Sequence, residues 1–410
     1  MLASSKYNHK ALYLSAFIIW VLGVLLMPKF CHGWDNYCWG YWSEIIAKKG
    51  LIAVYADKSP INYPPIFIYI LKLYAGLIKH NDYFNYTYCL KALTWAFDVG
   101  SILLICKDIV APKQQWMMSW LVALSPAWFY NTMIWNQVDG ILAFWVLLAL
   151  IKAHKGQTAF AIVACIIAIN FKIQAIVSFP LIGLVCLYHK DFKGILKGLL
   201  WGAIIQAIIL LPFIFIGQMH RVWLMATGSM DFFPFVSMNA QNLWHIVYSG
   251  DLTQKLDSEI ICCGLSIKHF GLMLFFTSSC FVLWRLSIAS FGSIKNPQVQ
   301  RSDLNLEALL MIHCLISFVF FYFNTQMHER YIHPAIVSSV ILAVRYKHWL
   351  QWLFFAFIYF ISLESILQFL GLHIYHISLF HPKVIAILYG ILGSYWLYLY
   401  LKTPLIKKAI

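Results

Sequence analysis

The chain has 410 residues, 61% of them hydrophobic and only 11% charged. A water-soluble globular domain is about 45–50% apolar and about 25% charged, so composition excludes that class and points to a multi-span membrane protein. The net charge of +14 raises nucleic acid as a partner, but the Lys and Arg residues stand in short clusters beside apolar runs, as on cytoplasmic loops, and no nucleic-acid role is expected.

Apolar runs begin near residues 11, 88, 116, 139, 158, 175, 195, 262, 306, 334, 349 and 383. A spanning helix needs about 20 such residues, which predicts an all-α polytopic membrane protein with about twelve transmembrane helices in a single domain over residues 1–410. The first run continues to Met27 without a small-residue cleavage site, so no cleavable signal peptide is expected. Ten cysteines, with no C-x-x-C and one adjacent pair, Cys262 and Cys263, read as small apolar residues rather than a disulfide frame or zinc knuckle.

Basic residues fix the expected topology. With Lys6 and Lys10 cytoplasmic, every inside loop is basic: Lys107 and Lys113, Lys152 and Lys155, Lys190 and Lys193, Lys295 and Arg301, Arg345 and Lys347, then Lys402, Lys407 and Lys408. "NYPPIFIYILKLYAGLI" would break this alternation as a span but preserves it as an amphipathic helix in the outer interface. The outer segments are then 30–87, with its interfacial helices, 131–139, 170–174, 217–260, 324–333 and 370–382. Asp35, Glu44, Asp139, Lys172, Arg221, Asp231, His328, Glu329 and Arg330 all fall within them, so a reactive face is expected on the non-cytoplasmic side.

Within these segments several constellations stand out. Asp35 lies among Trp34, Tyr37, Trp39, Tyr41 and Trp42. It reads either as an N-cap aspartate in an aromatic belt or as a carboxylate facing carbohydrate. Glu44, nine residues on, is expected near the same helical face as a partner. Asn136, Gln137 and Asp139 sit at the mouth of two spans, as a polar loop tip or as part of a site. Lys172 lies between two spans, where a lysine costs about 2.5–3.5 kcal/mol unless it snorkels or pairs with an anion.

"TQMHERYIHP", residues 325–334, invites a zinc reading. A metalloprotease helix carries H-E-x-x-H, but His328 and His333 are five apart, roughly 140° around a helix, and their rings diverge. No metal and no other cofactor is expected. An anionic head group accounts better for His328, Arg330 and Lys172 together, with Glu329 orienting a base or balancing charge; a local ion pair in a loop is the other reading.

Taken in order, these stretches resemble the GT-C superfamily of membrane glycosyltransferases, and most closely the dolichyl-phosphate-glucose glucosyltransferases of N-glycan assembly. The matches are Asp35, Trp42 and Glu44; Tyr63, Pro64 and Pro65; Phe171, Lys172, Ala175 and Pro180; Asn242 and Trp244; and Gln326, His328, Glu329 and Arg330. Asn62 stands where that family has Asp, and Asp35-Asn36-Tyr37 is not a D-x-D.

The resemblance implies a GT-C-like fold and an inverting displacement that moves a hexose from a polyprenyl-phosphate sugar donor to a lipid-linked glycan or other acceptor. Asp35 would be the catalytic base. His328, Arg330 and Lys172 would stabilise the leaving phosphate, with Glu44, Tyr63, Asp139, Arg221, Asn242, Trp244, Gln326 and Glu329 also substrate-binding. A lipid or sugar transporter is the competing class; it should show repeat-related halves and midplane polar residues, and neither is evident. A structural membrane subunit would not need a cationic outer pocket, and a glycosyltransferase of the same superfamily acting on another acceptor remains open. The compact loops suggest a bacterial plasma membrane. The sequon at Asn85 and the terminal "KKAI" would instead suit the endoplasmic reticulum.

Overall fold

The structure, a computed structural model, describes residues 9–56, 61–78, 82–229, 231–295 and 303–406. Lys6, Arg301, Lys407 and Lys408 of the basic series lie outside the described residues.

Helices account for most of the chain. α1 (Lys10–Leu25) leads into α2 (Gly33–Lys49), the single turn α3 (Ala53–Ala56) and α4 (Pro65–Leu77). α5 (Lys91–Ile109) returns against α1 and is followed by α6 (Gln115–Ala123) and α7 (Pro126–Phe129), which runs into one π-helical turn, Tyr130–Ile134. α8 (Asp139–His154) and α9 (Thr158–Phe171) form an antiparallel pair. A 3-10 segment, Ile173–Ser178, connects to α10 (Phe179–Tyr188), α11 (Phe192–Phe215) and α12 (Met219–Gly228).

After the short α13 (Leu243–Val247) comes the only sheet among the described residues, the antiparallel hairpin β1 (Ile260–Cys262) and β2 (Leu265–Ser266). Cys263 and Gly264 both have positive φ, 50° and 75°, the geometry of a two-residue hairpin turn whose twist matches its strands. Helices α14 (Ile267–Lys295), α15 (Leu306–Phe323), α16 (Ala335–Tyr346), α17 (Trp349–Leu367) and α18 (Pro382–Lys402) complete the bundle.

Apolar character on every side drives α15 and α16 to the centre, where Leu309, Leu310, Met311, Ile312, Ile336 and Val337 are fully buried. α11 and α14 are equally apolar but peripheral, leaving Leu196, Leu200, Ile208, Phe276 and Trp284 exposed on the lipid-facing surface expected of a multi-pass integral membrane protein.

Among the described residues six helices are long and apolar enough to cross a membrane, so the expected twelve spans are not confirmed: α5 with its lead-in turn, α11, α14, α15, α17 and α18. α1, α4, α9, α10 and α16 are apolar but shorter. The cause lies in the connections. Residues 131–143 are continuously buried, although the chain is irregular from Trp135 to Val138, and most of 324–333 is buried as well. Irregular backbone is tolerated at membrane depth only where protein covers it. Here it replaces the ends of α8, α9 and α16. The 13 residues of α4 span about 20 Å, too short for a hydrocarbon core of about 30 Å. Its Phe67, Ile68 and Leu71 are buried in the layer with α2, α9 and α11, while Leu73 and Leu77 are exposed.

Candidate functional site

α8 starts where α9 ends, and α15 ends where α16 starts, so their irregular connections collect at one end of the bundle with the start of α2. Asp35 is the third residue of α2, whose N-cap is His32, so it does not cap the helix. Its carboxylate is instead held by side chains. Oδ2 accepts from Trp135 Nε1 at 2.8 Å and Gln137 Nε2 at 2.5 Å, and lies 2.9 Å from His32 Nδ1. Oδ1 has no hydrogen-bond donor among the described residues and faces Arg330 Nη2 at 3.8 Å. One oxygen is fixed by three side chains; the other faces only the guanidinium.

The loop that presents these donors is held from below. Buried Lys91 donates to the carbonyls of Pro28 at 2.8 Å, Phe30 at 2.5 Å and Met133 at 2.7 Å, clamping the entry to α2 onto the π-helical turn. Asp98 of α5 accepts from Trp128 Nε1 at 2.7 Å and Thr132 Oγ1 at 2.6 Å. Gly140 is required beside it, because a Cβ there would fall 2.2 Å from Asp98 Oδ1.

Arg330 joins the acids. Nη1 donates to Glu329 Oε1 at 2.8 Å, Nε stands 3.8 Å from Asp139 Oδ2, and the guanidinium carbon lies 5.7 Å from the centre of the Trp135 ring. Lys172 Nζ donates to Asp139 Oδ1, with the rings of Tyr63 and Tyr331 5.8 and 5.4 Å away. Asp35, Tyr63, Asp139, Lys172, Glu329 and Arg330 are all buried and meet in one place. Gln137 Oε1, Asp139 Oδ2 and Arg330 Nε have no hydrogen-bond partner there. Buried polar atoms are usually satisfied; here Asp139 Oδ2 and Arg330 Nε face each other across 3.8 Å without a hydrogen bond.

The charges are nearly balanced. Burial pushes the Asp35 carboxyl upward, but Arg330 and the bonds from His32 and Trp135 outweigh it and hold it well below the usual carboxylate range. Burial raises Glu329 despite Arg330. It lowers Lys172, which its ion pair with Asp139 opposes. His328 is held below its ordinary value by burial and by the Arg330 charge, so its imidazole is neutral near pH 7 and adds no third cation.

Other expected site residues lie elsewhere. Nine residues at about 100° each make two and a half turns, so Glu44 falls opposite Asp35 rather than on its face; it pairs with Lys48 at 2.5 Å on the surface. Asn242 caps α13 and donates to the carbonyls of Phe321 and Asn324, both at 3.2 Å, while Trp244 Nε1 donates to Phe323 O at 3.0 Å. Both brace the end of α15. Gln326 donates to Asp257 Oδ2 at 2.8 Å, supporting the same loop from outside. Arg221 lines a separate cavity of about 370 Å³ with Tyr55, His220 and Phe232. His333 Nδ1 is 3.1 Å from the Tyr359 hydroxyl, in a different setting from His328, whose ring packs on Phe233 and Tyr331.

His32 and Trp135 were not singled out as site residues from sequence. Their signal was faint, a histidine and a tryptophan each beside a residue already implicated. Among the described residues no group of three or more His, Cys, Asp or Glu side chains is arranged to hold a metal ion. What the site offers is a restrained carboxylate, a guanidinium ringed by three carboxylates, an ammonium and aromatic walls. No protein-family model matches the chain, and no curated protein matches it.

Proposed function

We propose that the chain is an inverting glycosyltransferase that moves a hexose from a polyprenyl-phosphate sugar to a glycan or lipid-linked acceptor, working on the non-cytoplasmic side of the membrane. The supporting observation is the buried convergence of Asp35, with one free oxygen, on Arg330 and the Asp139–Lys172 pair. Catalysis of this kind needs a base and a cation on opposite sides of one carbon, so Asp35 Oδ1 and Arg330 Nη2, 3.8 Å apart here, must part to admit the substrate.

In this reading the acceptor oxygen bonds to the anomeric carbon as the bond from that carbon to the phosphate oxygen breaks, and the bonding pair leaves with the phosphate. Arg330 and Lys172 stabilise that charge. The acceptor proton passes to Asp35 Oδ1 and then to water. A carboxylate is a weak base towards a sugar hydroxyl, so transfer is late, after the oxocarbenium-like carbon has drawn density from the oxygen.

Reconstitution with a panel of synthetic polyprenyl-phosphate hexoses tests the reading, with sugar transfer to lipid-linked glycans as the result expected. Lipid-linked sugar crossing the bilayer with no transfer from any donor would replace it with a transporter. Transfer is expected to persist in excess EDTA; strict loss restored by a divalent cation would overturn the metal-free scheme.

The pH dependence follows from the depressed Asp35 carboxyl. The carboxylate stays ionised through the neutral range, so an acid limb in kcat/KM assigned to it must lie below pH ~4. Its ion pairing likewise contributes stability above that pH and loses it as pH falls through the folded-state value. An acid limb at pH 6–7 that disappears in Asp35→Glu would contradict this.

A further inference from the structure

Asn36, next in the chain to Asp35, lines a different space: an open cavity of about 440 Å³ between α2 and residues 82–88. Three aromatic rings, Phe84, Tyr86 and Tyr88, form one wall, with the two tyrosine rings 6.2 Å apart. Lys29, Asn36, Asp82, Asn85 and Thr87 form the rest. Asn85 Nδ2 donates to Asp82 Oδ2 at 3.1 Å, and Asn36 accepts from the Thr87 hydroxyl. Phe84 rests directly on Gly40, where a Cβ would come within 2.5 Å of its ring. A row of stacked rings continues the aromatic surface along α2: Tyr37 lies 5.9 Å from Phe84 and 5.8 Å from both Trp34 and Tyr41.

An aromatic belt against lipid explains exposed rings, but not carboxylate and amide edges lining the same hollow. A pyranose fits both, with its C–H face on a ring and its hydroxyls on Asp82, Asn85 and Asn36. The cavity is also wired to the charged site. Asn136 Nδ2 donates to Thr87 O at 3.1 Å, and Asn136 is next in the chain to Gln137, a donor to Asp35.

We infer that this cavity is a carbohydrate subsite that holds sugar residues of a neutral glycan acceptor beyond the ring that reacts. Its role as acceptor subsite rests on the glycosyltransferase reading; its binding of sugar does not.

The experiment is saturation-transfer NMR on the full chain in nanodiscs, with di- and trisaccharides of glucose, mannose and galactose as probes and glycerol as control. Saturation of sugar C–H protons is expected, with affinity about tenfold weaker in Tyr86→Ala/Tyr88→Ala. Asp82→Asn, an isosteric change of a partly exposed side chain, provides a second variant if the double change disturbs folding, and is expected to weaken binding in the same direction.

In the transfer assay both variants should raise acceptor KM about tenfold and leave donor KM unchanged. No saturation by any saccharide, or equal saturation in both variants, overturns the subsite. Transfer with unchanged acceptor KM in both variants removes the acceptor role alone. Sugar binding without transfer from any donor upholds the subsite and removes the glycosyltransferase reading.

Discussion

Asp35→Asn is expected to lower turnover by about 100-fold or more while the protein stays folded. The substitution keeps the planar shape, and its amide oxygen can still accept from Trp135, Gln137 and His32 as Oδ2 does. What changes is the other position, where an amide NH2 would face Arg330 in place of the oxygen proposed to take the proton. Arg330 keeps Glu329 and Asp139, so the change in stability should be far smaller than the change in rate. Turnover with saturating donor and acceptor, measured beside the melting temperature, separates the two. A variant within a few-fold of wild type would leave Asp35 a structural anchor for the donors around it.

Replacing Arg330 is expected to cost roughly 10- to 100-fold in kcat/KM for the donor, with the acceptor KM barely moved. The choice of variant matters. Arg330→Ala would leave Asp35, Asp139 and Glu329 buried with Lys172 as the remaining paired cation, and removing one partner of a buried ion pair costs about 3–5 kcal/mol. Arg330→Lys keeps the charge and loses the planar fork that grips two phosphate oxygens. It should therefore stay folded and yet be inhibited more weakly by polyprenyl phosphate, the product. His328→Ala should weaken product inhibition less, because a neutral imidazole contributes a hydrogen bond rather than a charge. Unchanged inhibition constants in both variants would mean the cluster merely ties helices together.

Much of the charged site was legible in the sequence because charge is rare in so apolar a chain. Asp35, Asp139, Lys172, Glu329 and Arg330 stand at the ends of apolar runs, and a charge at membrane depth needs a partner. Which partner was not legible. Lys172 was read as an anion site and is paired within the chain with Asp139. The ends of the spans were hard to read for a related reason: hydropathy records apolar residues but not whether the backbone is helical, and irregular residues 135–138 are as buried as the helix that follows them. Glu364, which accepts from the Tyr130 hydroxyl and from the backbone N–H of Leu370 at 2.9 Å, sits inside an apolar run and escaped notice for the same reason.

The ion pair between Asp35 and Arg330 joins positions about 300 residues apart. At about 5–20 residues per second, the ribosome makes Arg330 some 15–60 s after Asp35. Trp135 and Gln137, donors to Asp35, arrive about 100 residues behind it, and Lys172, the partner of Asp139, soon after, so both acids have partners for most of that interval. The guanidinium comes last and completes the set. Every chain truncated before residue 330 therefore lacks the guanidinium that Asp35, Asp139 and Glu329 share.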